Sequence, residues 1–209
     1  MNSFRSYFFG TFRSPHSTFT RLLSDPRQLS HGLKSVLLMG ILYTVTTAGY
    51  AIAGAIPLMP PLIGIPARDY YFWELFFQIP LFVVGWFLAS GLALLFSRLF
   101  RGSGTLREHL SVLGFALNIP WYITWFVDTI IVVLYLLHIL TPQEWADLVA
   151  RGGTWQIFTY CYPFVALVWL FFLVAVALRI VEKLRWWQVI INCAVTVVYL
   201  QTLMTIFIR

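Results

Sequence analysis

Charged residues are scarce in this chain of 209 residues: Asp, Glu, Lys and Arg make up 11% of it, whereas 60% is hydrophobic. A soluble domain carries roughly 25% charged residues, because a chain this short exposes a large surface that must meet water. The composition therefore excludes a soluble globular protein and indicates that the solvent is lipid. The 18% aromatic content agrees, since amphipathic rings gather at membrane interfaces.

Cysteines and catalytic motifs are also sparse. Cys161 and Cys193 both lie in apolar runs, so we expect buried apolar side chains rather than a disulfide or a metal pair. The four histidines lack metal-ligand spacing, and no hydrolase-type arrangement of serine, histidine and acid is evident. The turn 101–104 contains a G-x-G without a third glycine, which argues against dinucleotide binding. The sequence thus predicts no enzyme activity, no cofactor and no metal.

Long apolar runs are what the chain has instead. Four uncharged stretches each reach the ~20 residues that a spanning helix needs. A fifth, Pro120 to Leu140, is interrupted at its middle by a single ionisable residue, Asp128. We predict an all-α integral membrane protein, a bundle of five transmembrane helices preceded by an N-terminal cytoplasmic or interfacial segment, 1–34. The five-span domain is 35–209, with helices at about 35–56, 71–97, 120–140, 155–179 and 187–207.

A proline divides the third span. Thr105 and Glu108 have the spacing of a capping box, which would open a helix well before Pro120. A straight helix from there to Leu140 would measure about 50 Å, too long for a hydrocarbon core of about 30 Å. We therefore predict a kink near Pro120, where the ring removes a backbone hydrogen bond.

A second capping box, Thr141 with Glu144, follows the third span. It predicts a short interfacial helix that runs to Gly152 on the outer side, with Trp145 in contact with lipid headgroups.

Lys and Arg are distributed unequally between the two sides of such a bundle, eleven against three. By the positive-inside rule this predicts a cytoplasmic N-terminus and an outer C-terminus. The net charge of +6 is then a signal for anionic lipid of the cytoplasmic leaflet and not for nucleic acid. The eleven are Arg5, Arg13, Arg21, Arg27, Lys34, Arg98, Arg101, Arg107, Arg179, Lys183 and Arg185; the three are Arg68, Arg151 and Arg209.

The first thirty residues lack the apolar core of a cleavable signal peptide. Arginines alternate there with aromatic residues, a pattern typical of a segment that lies in the headgroup layer. Asp25 followed by Pro26 predicts a helix N-cap and first turn, so the first helix is expected to begin well before it enters lipid.

Asp128 is the strongest candidate for a functional polar residue. It lies near the centre of a span, where an ionised carboxylate costs several kcal/mol, and no Lys or Arg is expected at its depth. We expect it to be protonated, or hydrated in a polar cavity. Helical spacing predicts that Trp121, Thr124, Trp125 and Tyr135 share its face. Two interpretations stay open, a hydrogen bond across a helix interface and a relay for protons or cations.

Four further polar residues are candidates. Glu74 and Gln78 lie one turn apart at the outer end of the second span, Glu74 close enough to the interface to be hydrated. Their stripe continues through Gly85, Ala89 and Ala93, a ridge of small residues that predicts a face turned towards protein.

Asn118 and Asn192 lie in the cytoplasmic third and could hydrogen-bond between helices. Pro80 and Pro163 are expected to kink the second and fourth spans.

The order of these landmarks resembles the Yip family in its prokaryotic branch. The resemblance covers most of the chain and lies in Phe12 to Pro15, Leu23 to Arg27, the turn from Phe100 to Thr105, and Val112 to Pro120. It implies five spans and a cytoplasmic N-terminus. Eukaryotic members bind Rab-type GTPases and help to organise vesicle membranes.

The chain departs from those members in two respects. Only 34 residues precede the first predicted span, and the Asp-Leu-Tyr-Gly-Pro type of sequence is echoed only by Asp69 and the two tyrosines after it. GTPase binding is therefore not expected. The leading hypothesis is a non-enzymatic scaffold that organises membrane or binds a membrane-protein partner or a second copy. The alternative is a transporter of a small solute, an ion or protons with a polar path at Asp128.

Overall fold

A computed structural model describes residues 3–208, which form helices joined by turns and contain no strand. Five helical stretches are long and apolar enough to cross a membrane, so the predicted fold class is confirmed: Gln28–Ile52, Ala67–Leu99, Leu106–Leu136, Thr154–Glu182 and Trp186–Phe207. The helices are α1 (Phe4–Arg13), α2 (Pro15–Leu23), α3 (Gln28–Ile52), α4 (Tyr70–Leu99), α5 (Leu106–Ala116), α6 (Trp121–Leu136), α7 (Pro142–Ala150), α8 (Thr154–Glu182) and α9 (Trp186–Phe207); a 3-10 turn, Ala67–Asp69, precedes α4.

Helix α3 begins earlier than the predicted span, and Asp25 is not its N-cap. The cap position belongs to Arg27, without a side-chain capping bond. Asp25 instead accepts the backbone N–H of Arg27 at 2.8 Å, which closes a turn around Pro26. The N-cap prediction for Asp25 is therefore wrong, whereas the early helix start is confirmed.

The predicted break at Pro120 is confirmed. Helix α5 ends at Ala116 and α6 begins at Trp121, with hydrogen-bonded turns between them. Pro80 and Pro163 do not divide their helices, because α4 and α8 continue through them.

Small residues set the closest helix contacts. Gly114 of α5 faces Gly32 of α3, and a Cβ added to Gly114 would lie 2.6 Å from the Gly32 Cα, so only glycine permits this approach. On α4 the predicted ridge does face protein: Ala89 and Ala93 are fully buried, and a Cβ at Gly85 would meet side chains of α9 at 3.2 to 3.4 Å.

Helices α1 and α2 form a hairpin that packs on the bundle. Pro15 starts α2 because its missing N–H costs nothing at a first helical position, and it disfavours a helical conformation at Ser14, where α1 ends. Tyr7, Phe19 and Leu22 are fully buried in the main core. The N-terminal segment is thus part of the folded bundle.

The helix bundle has two ends, and successive spans run from one end to the other and back. The basic end comprises 3–27, 98–109 and 179–185, tied together by contacts such as Arg107 Nη2 to the Pro26 carbonyl at 2.7 Å. The α7 end comprises 53–69 and 137–153. Ten of the eleven Lys and Arg residues predicted for one side lie in the basic end and the eleventh, Lys34, lies in the second turn of α3; Arg68 and Arg151 lie at the α7 end, and Arg209 lies outside the described residues.

The α7 capping box is confirmed: Thr141 Oγ1 accepts the Glu144 N–H, and the Glu144 carboxylate accepts the Thr141 N–H. The predicted contact of Trp145 with lipid headgroups is wrong. Its side chain is buried against the bundle, with its ring 5.8 Å from that of Trp155. A short amphipathic helix lays its apolar face on whatever apolar surface is adjacent, and here that surface is protein.

The two cysteines differ. Cys193 is buried, as expected, and its thiol contacts the Phe171 carbonyl at 3.3 Å. Cys161 is exposed on α8, so the expectation of burial is wrong for it. An apolar run on a spanning helix has an outward side that is as apolar as its inward side.

Candidate functional site

Polar side chains within the spans gather in two groups. The Asp128 group lies towards the α7 end and contains Glu74, Gln78 and Asp128. The Glu182 group lies at the basic end and contains Glu182, His109, Ser97 and Asn192. Of these four, Asn192 is the predicted candidate.

Asp128 is held by side chains from two other helices. Tyr162 of α8 donates its hydroxyl to Asp128 Oδ1 at 3.2 Å, and Tyr50 of α3 donates to the Asp128 carbonyl at 3.4 Å. Thr124, predicted on the same face of α6, does not bond to Asp128, because its hydroxyl bonds to Tyr43 instead. Asp128 therefore makes the hydrogen bond across a helix interface that one of the two interpretations requires.

Glu74 is buried, 1% exposed, so the expectation that it is hydrated at the interface is wrong. Helix α3 packs against α4, the helix that carries Glu74. Thr47 of α3 donates to Gln78 Oε1 at 2.8 Å, which joins the two helices at the next turn. Glu74 Oε2 and Gln78 Nε2 have no hydrogen-bond partner among the described residues.

Tyrosines form the wall of the Asp128 group. Tyr50 stacks on Tyr71 with ring centroids 4.9 Å apart, and Tyr135 lies 6.0 Å from Tyr50. Asp128 is close enough to Glu74 for electrostatic interaction. Chemically, this arrangement can donate hydrogen bonds to a carboxyl group. No ion pair within residues 3–208 supplies a cation to either acid.

Four cavities of the structure avoid this group. Three of about 150, 120 and 10 Å³ lie around Trp121, and two of these share Gln201 in their walls. The fourth, about 400 Å³, lies between α6, α7 and α8 and is lined by apolar side chains. None of the four has Asp128, Glu74 or Gln78 in its lining.

The two asparagines behave differently. Asn192 of α9 donates from Nδ2 to the Ala93 carbonyl at 2.9 Å and to Ser97 Oγ at 2.7 Å, both on α4. Asn118 donates to the Gly114 carbonyl at 2.9 Å, within its own helical segment. The predicted hydrogen bond between helices is therefore found for Asn192, whereas the Asn118 side chain donates within the turn that follows α5.

Glu182, at the end of α8, is the centre of the second group. Its Oε1 lies 2.9 Å from His109 Nε2, and both side chains are fully buried. Its Oε2 accepts the backbone N–H of Gly104 at 3.0 Å. His109 Nδ1 lies 2.9 Å from the Thr105 carbonyl, and because a carbonyl only accepts, Nδ1 carries a proton.

The turn 101–104 is shaped around this carboxylate. A Cβ at Gly102 would lie 2.1 Å from Glu182 Oε2, and one at Gly104 would lie 2.8 Å from Oε1. Arg98 closes the turn from the other side, donating to the carbonyls of Gly102 and Gly104 at 2.8 and 2.7 Å. The G-x-G thus receives an anion, but that anion is the protein's own carboxylate.

Within residues 3–208, no group of three His, Cys, Asp or Glu side chains is placed to hold a metal ion.

The Yip1 domain matches residues 9–208, nearly the whole chain. The chain belongs to the Yip1 domain family. No curated protein and no solved structure matches it significantly. Yip1 domain proteins are generally non-enzymatic membrane proteins, and with five candidate spans this chain is a multi-pass member.

Sequence analysis missed His109 and Glu182 as partners within the Yip1 domain. The available signals were a histidine directly after the α5 capping box and an acid at the end of a 29-residue, mostly apolar helix. Each is unremarkable alone, and 73 positions separate them, so only the packing of α5 against α8 identifies the pair.

Proposed function

We propose that this Yip1 domain protein is a non-enzymatic scaffold that organises membrane or binds a membrane partner. The observation that carries the proposal is the use of the intramembrane polar groups in packing. Asp128 is bonded to Tyr162 across the α6–α8 interface, and Gln78 to Thr47 across the α3–α4 interface. A transport path needs such groups to line an open cavity, whereas Asp128 and Gln78 are bonded to neighbouring helices.

The proposal includes an orientation and a location. We propose that the basic end faces the cytoplasm, with an outer C-terminus, in the cytoplasmic membrane of a prokaryote and within the prokaryotic branch of the family. The concentration of Lys and Arg at the basic end supports the orientation through the positive-inside rule. The partners proposed are anionic lipids of that leaflet together with a membrane protein or a second copy of the chain.

Transport is the second candidate, and one observation favours it. Glu74 Oε2 and Gln78 Nε2 are buried without hydrogen-bond partners among the described residues, and Glu74 interacts electrostatically with Asp128. A relay for protons would use polar atoms of this kind.

Flux in reconstituted vesicles separates the two. In the scaffold, Asp128→Asn keeps an oxygen that accepts the Tyr162 hydroxyl, so the variant folds, and neither protein produces pH-dependent flux above protein-free vesicles. Tyr162→Phe is the reciprocal control. It removes the hydrogen bond between residues 162 and 128, which Asp128→Asn keeps, and it retains the carboxyl group, which Asp128→Asn removes. Flux in the wild type and in Tyr162→Phe that disappears in a well-folded Asp128→Asn variant would replace the scaffold by a transporter.

A further inference from the structure

Helix α1 carries a stripe that faces away from the bundle. It consists of Arg5, Phe9, Phe12 and Arg13, whose spacing of four, three and one residues places them on one side of a helix. Phe9 is 60% and Phe12 38% exposed. The opposite side, with Tyr7 and Thr11, is fully buried. Phe9 and the two arginines therefore point outward, and Phe12 lies at the edge of the stripe, partly exposed beside Trp169 of α8.

The direction of this stripe is set by the packing of the hairpin. A Cβ at Gly10 would lie 2.5 Å from Thr18 Oγ1, so α1 and α2 approach as closely as glycine allows. The Tyr7 hydroxyl donates to Asp25 Oδ2 at 2.8 Å, which ties α1 to the turn before α3.

Ring contacts indicate the depth at which α1 lies. The Phe12 ring lies 5.2 Å from that of Trp169 on α8, and the Phe8 ring lies 5.1 Å from that of Tyr122 on α6. Helix α8 has 29 residues and is about 43 Å long, whereas the hydrocarbon core measures about 30 Å. Tryptophans gather at membrane interfaces, so we take Trp155 as the boundary at the α7 end. A core of about 30 Å then corresponds to about 20 helical residues and extends to about residue 175. Trp169 then lies roughly 9 Å inside it.

This depth is characteristic of an interfacial helix, whose apolar face reaches about 5–10 Å into the boundary between headgroups and acyl chains. The charges of the hairpin fit the same location. From residue 3 to residue 24 the chain carries Arg5, Arg13 and Arg21 and no Asp or Glu. An anionic surface is the complement of such a segment.

We propose that the α1 stripe is a membrane anchor for the adjoining anionic leaflet. Phe9 and Phe12 insert among the acyl chains, and Arg5 and Arg13 bind lipid phosphates. The inference rests on the proposed scaffold function, which already includes anionic lipids as partners, and it adds the helix and the residues that bind them. Because α1 occupies area in one leaflet only, the anchor also provides a way for the protein to influence curvature.

The experiment places an environment-sensitive fluorophore on single cysteines in a Cys161→Ser, Cys193→Ala background. The test position is Phe9. Thr20, exposed on α2, is the matched position outside the stripe, and Val168, exposed on α8, reports insertion of the spans. The protein is reconstituted in phosphatidylcholine vesicles with and without about one quarter phosphatidylglycerol.

With phosphatidylglycerol present, nitroxides on the acyl chains should quench the label at residue 9 about threefold more than the label at residue 20. Replacing Arg5 and Arg13 by Gln should lower the equilibrium constant for insertion of the α1 stripe into the anionic leaflet by about fivefold for each arginine. Arg68→Gln, at the opposite end, should change nothing.

Two results would overturn the anchor. In one, the label at residue 9 is as accessible to aqueous iodide as the label at residue 20, while Val168 stays protected by lipid. In the other, the label at residue 9 is quenched equally in both kinds of vesicle and the arginine variant behaves as wild type, so anionic lipid plays no part. Both leave the scaffold standing. Aqueous access at Val168 would instead refute the membrane architecture on which the scaffold depends.

Discussion

His109 Nε2 lies 2.9 Å from Glu182 Oε1 in the fully buried interior of the basic end. The contact joins α5 to the last turn of α8, and the second carboxylate oxygen adds the turn 101–104 through the Gly104 N–H. Three separate segments thus meet at one carboxylate. Removing one partner of such a buried polar contact is strongly destabilising, because the polar groups left behind lose their partner and keep the cost of leaving water.

Glu182→Ala is therefore expected to lower the free energy of unfolding by about 3 kcal/mol or more, seen as a fall of about 10 °C in the thermal midpoint in detergent. Asp69→Asn is the matched control, since it breaks an exposed contact with Arg68 that is worth at most about 1 kcal/mol. The buried contact would lose its structural role if both variants unfolded at the same temperature.

The space around two glycines predicts opposite effects of alanine on stability. Gly104→Ala should destabilise the protein by about 1–3 kcal/mol, because its Cβ would lie 2.4 Å from Val181 Cγ1. Gly91→Ala, on α4, meets nothing within 4 Å and should stabilise that helix by roughly 0.5–1 kcal/mol. Thermal unfolding of the two variants compares them directly, and a stable Gly104→Ala protein would contradict the described turn.

Asp25 makes the docking of the hairpin dependent on pH. The backbone N–H of Arg27 and the Tyr7 hydroxyl both donate to its carboxylate and hold the pKa of Asp25 below its ordinary value of 3.8. A lowered pKa contributes stability that is fully present above the ordinary value and is lost as pH falls through the lowered one. Hydrogen exchange across 4–23 should therefore accelerate in acid, beginning below about pH 4.

Asp25→Asn removes this titration, so its exchange across the same residues should lose the acid-dependent step. Asp69→Asn should retain it. An unchanged acid profile in Asp25→Asn would mean that another group controls the docking.

The orientation can be read by labelling single cysteines in a Cys161→Ser background, because Cys161 is exposed. A cysteine at Ser103 should react from the cytoplasmic side and one at Gly153 from the opposite side. Gly153 has a φ of 77°, which disfavours a side chain, so exposed Gln143 on α7 is a second position for the same end. Labelling of both ends from one side would remove a span from the architecture.

Thr141→Ala tests the α7 capping box. Loss of the hydroxyl that accepts the Glu144 N–H should destabilise α7 by about 1 kcal/mol and raise hydrogen exchange in 142–150. Thr159→Ala is the control, because its hydroxyl bonds within α8 to the Trp155 carbonyl and caps nothing. Equal exchange in the two variants would show that packing of Trp145 alone maintains the helix.

Features that depend on short stretches of chain could be predicted from the sequence. The five spans follow from the length of apolar runs, the break before α6 from the ring of Pro120, and the starts of α5 and α7 from capping boxes confirmed at Thr105 and Thr141. In each case the interacting groups lie within a few residues of one another, so spacing alone determines the result.

Which side of a spanning helix is buried could be predicted only in part. The small-residue ridge of α4 correctly indicated a face turned towards protein, because close approach of backbones requires small side chains, and the structure shows that the facing helix is α9. The burial of Trp145 and Glu74 and the exposure of Cys161 could not be predicted, since lipid and protein are both apolar surroundings and hydropathy does not distinguish them.

The pair of His109 and Glu182 was decided by tertiary structure alone. The sequence around each residue contains no pattern that indicates the other as its partner. Their contact exists because α5 packs on α8 and because the glycines of 101–104 leave room for the carboxylate. The sequence determined how many helices cross and where they break, since those properties belong to single segments. Packing determined which polar groups meet, because such contacts join residues that only the folded chain brings within hydrogen-bond distance.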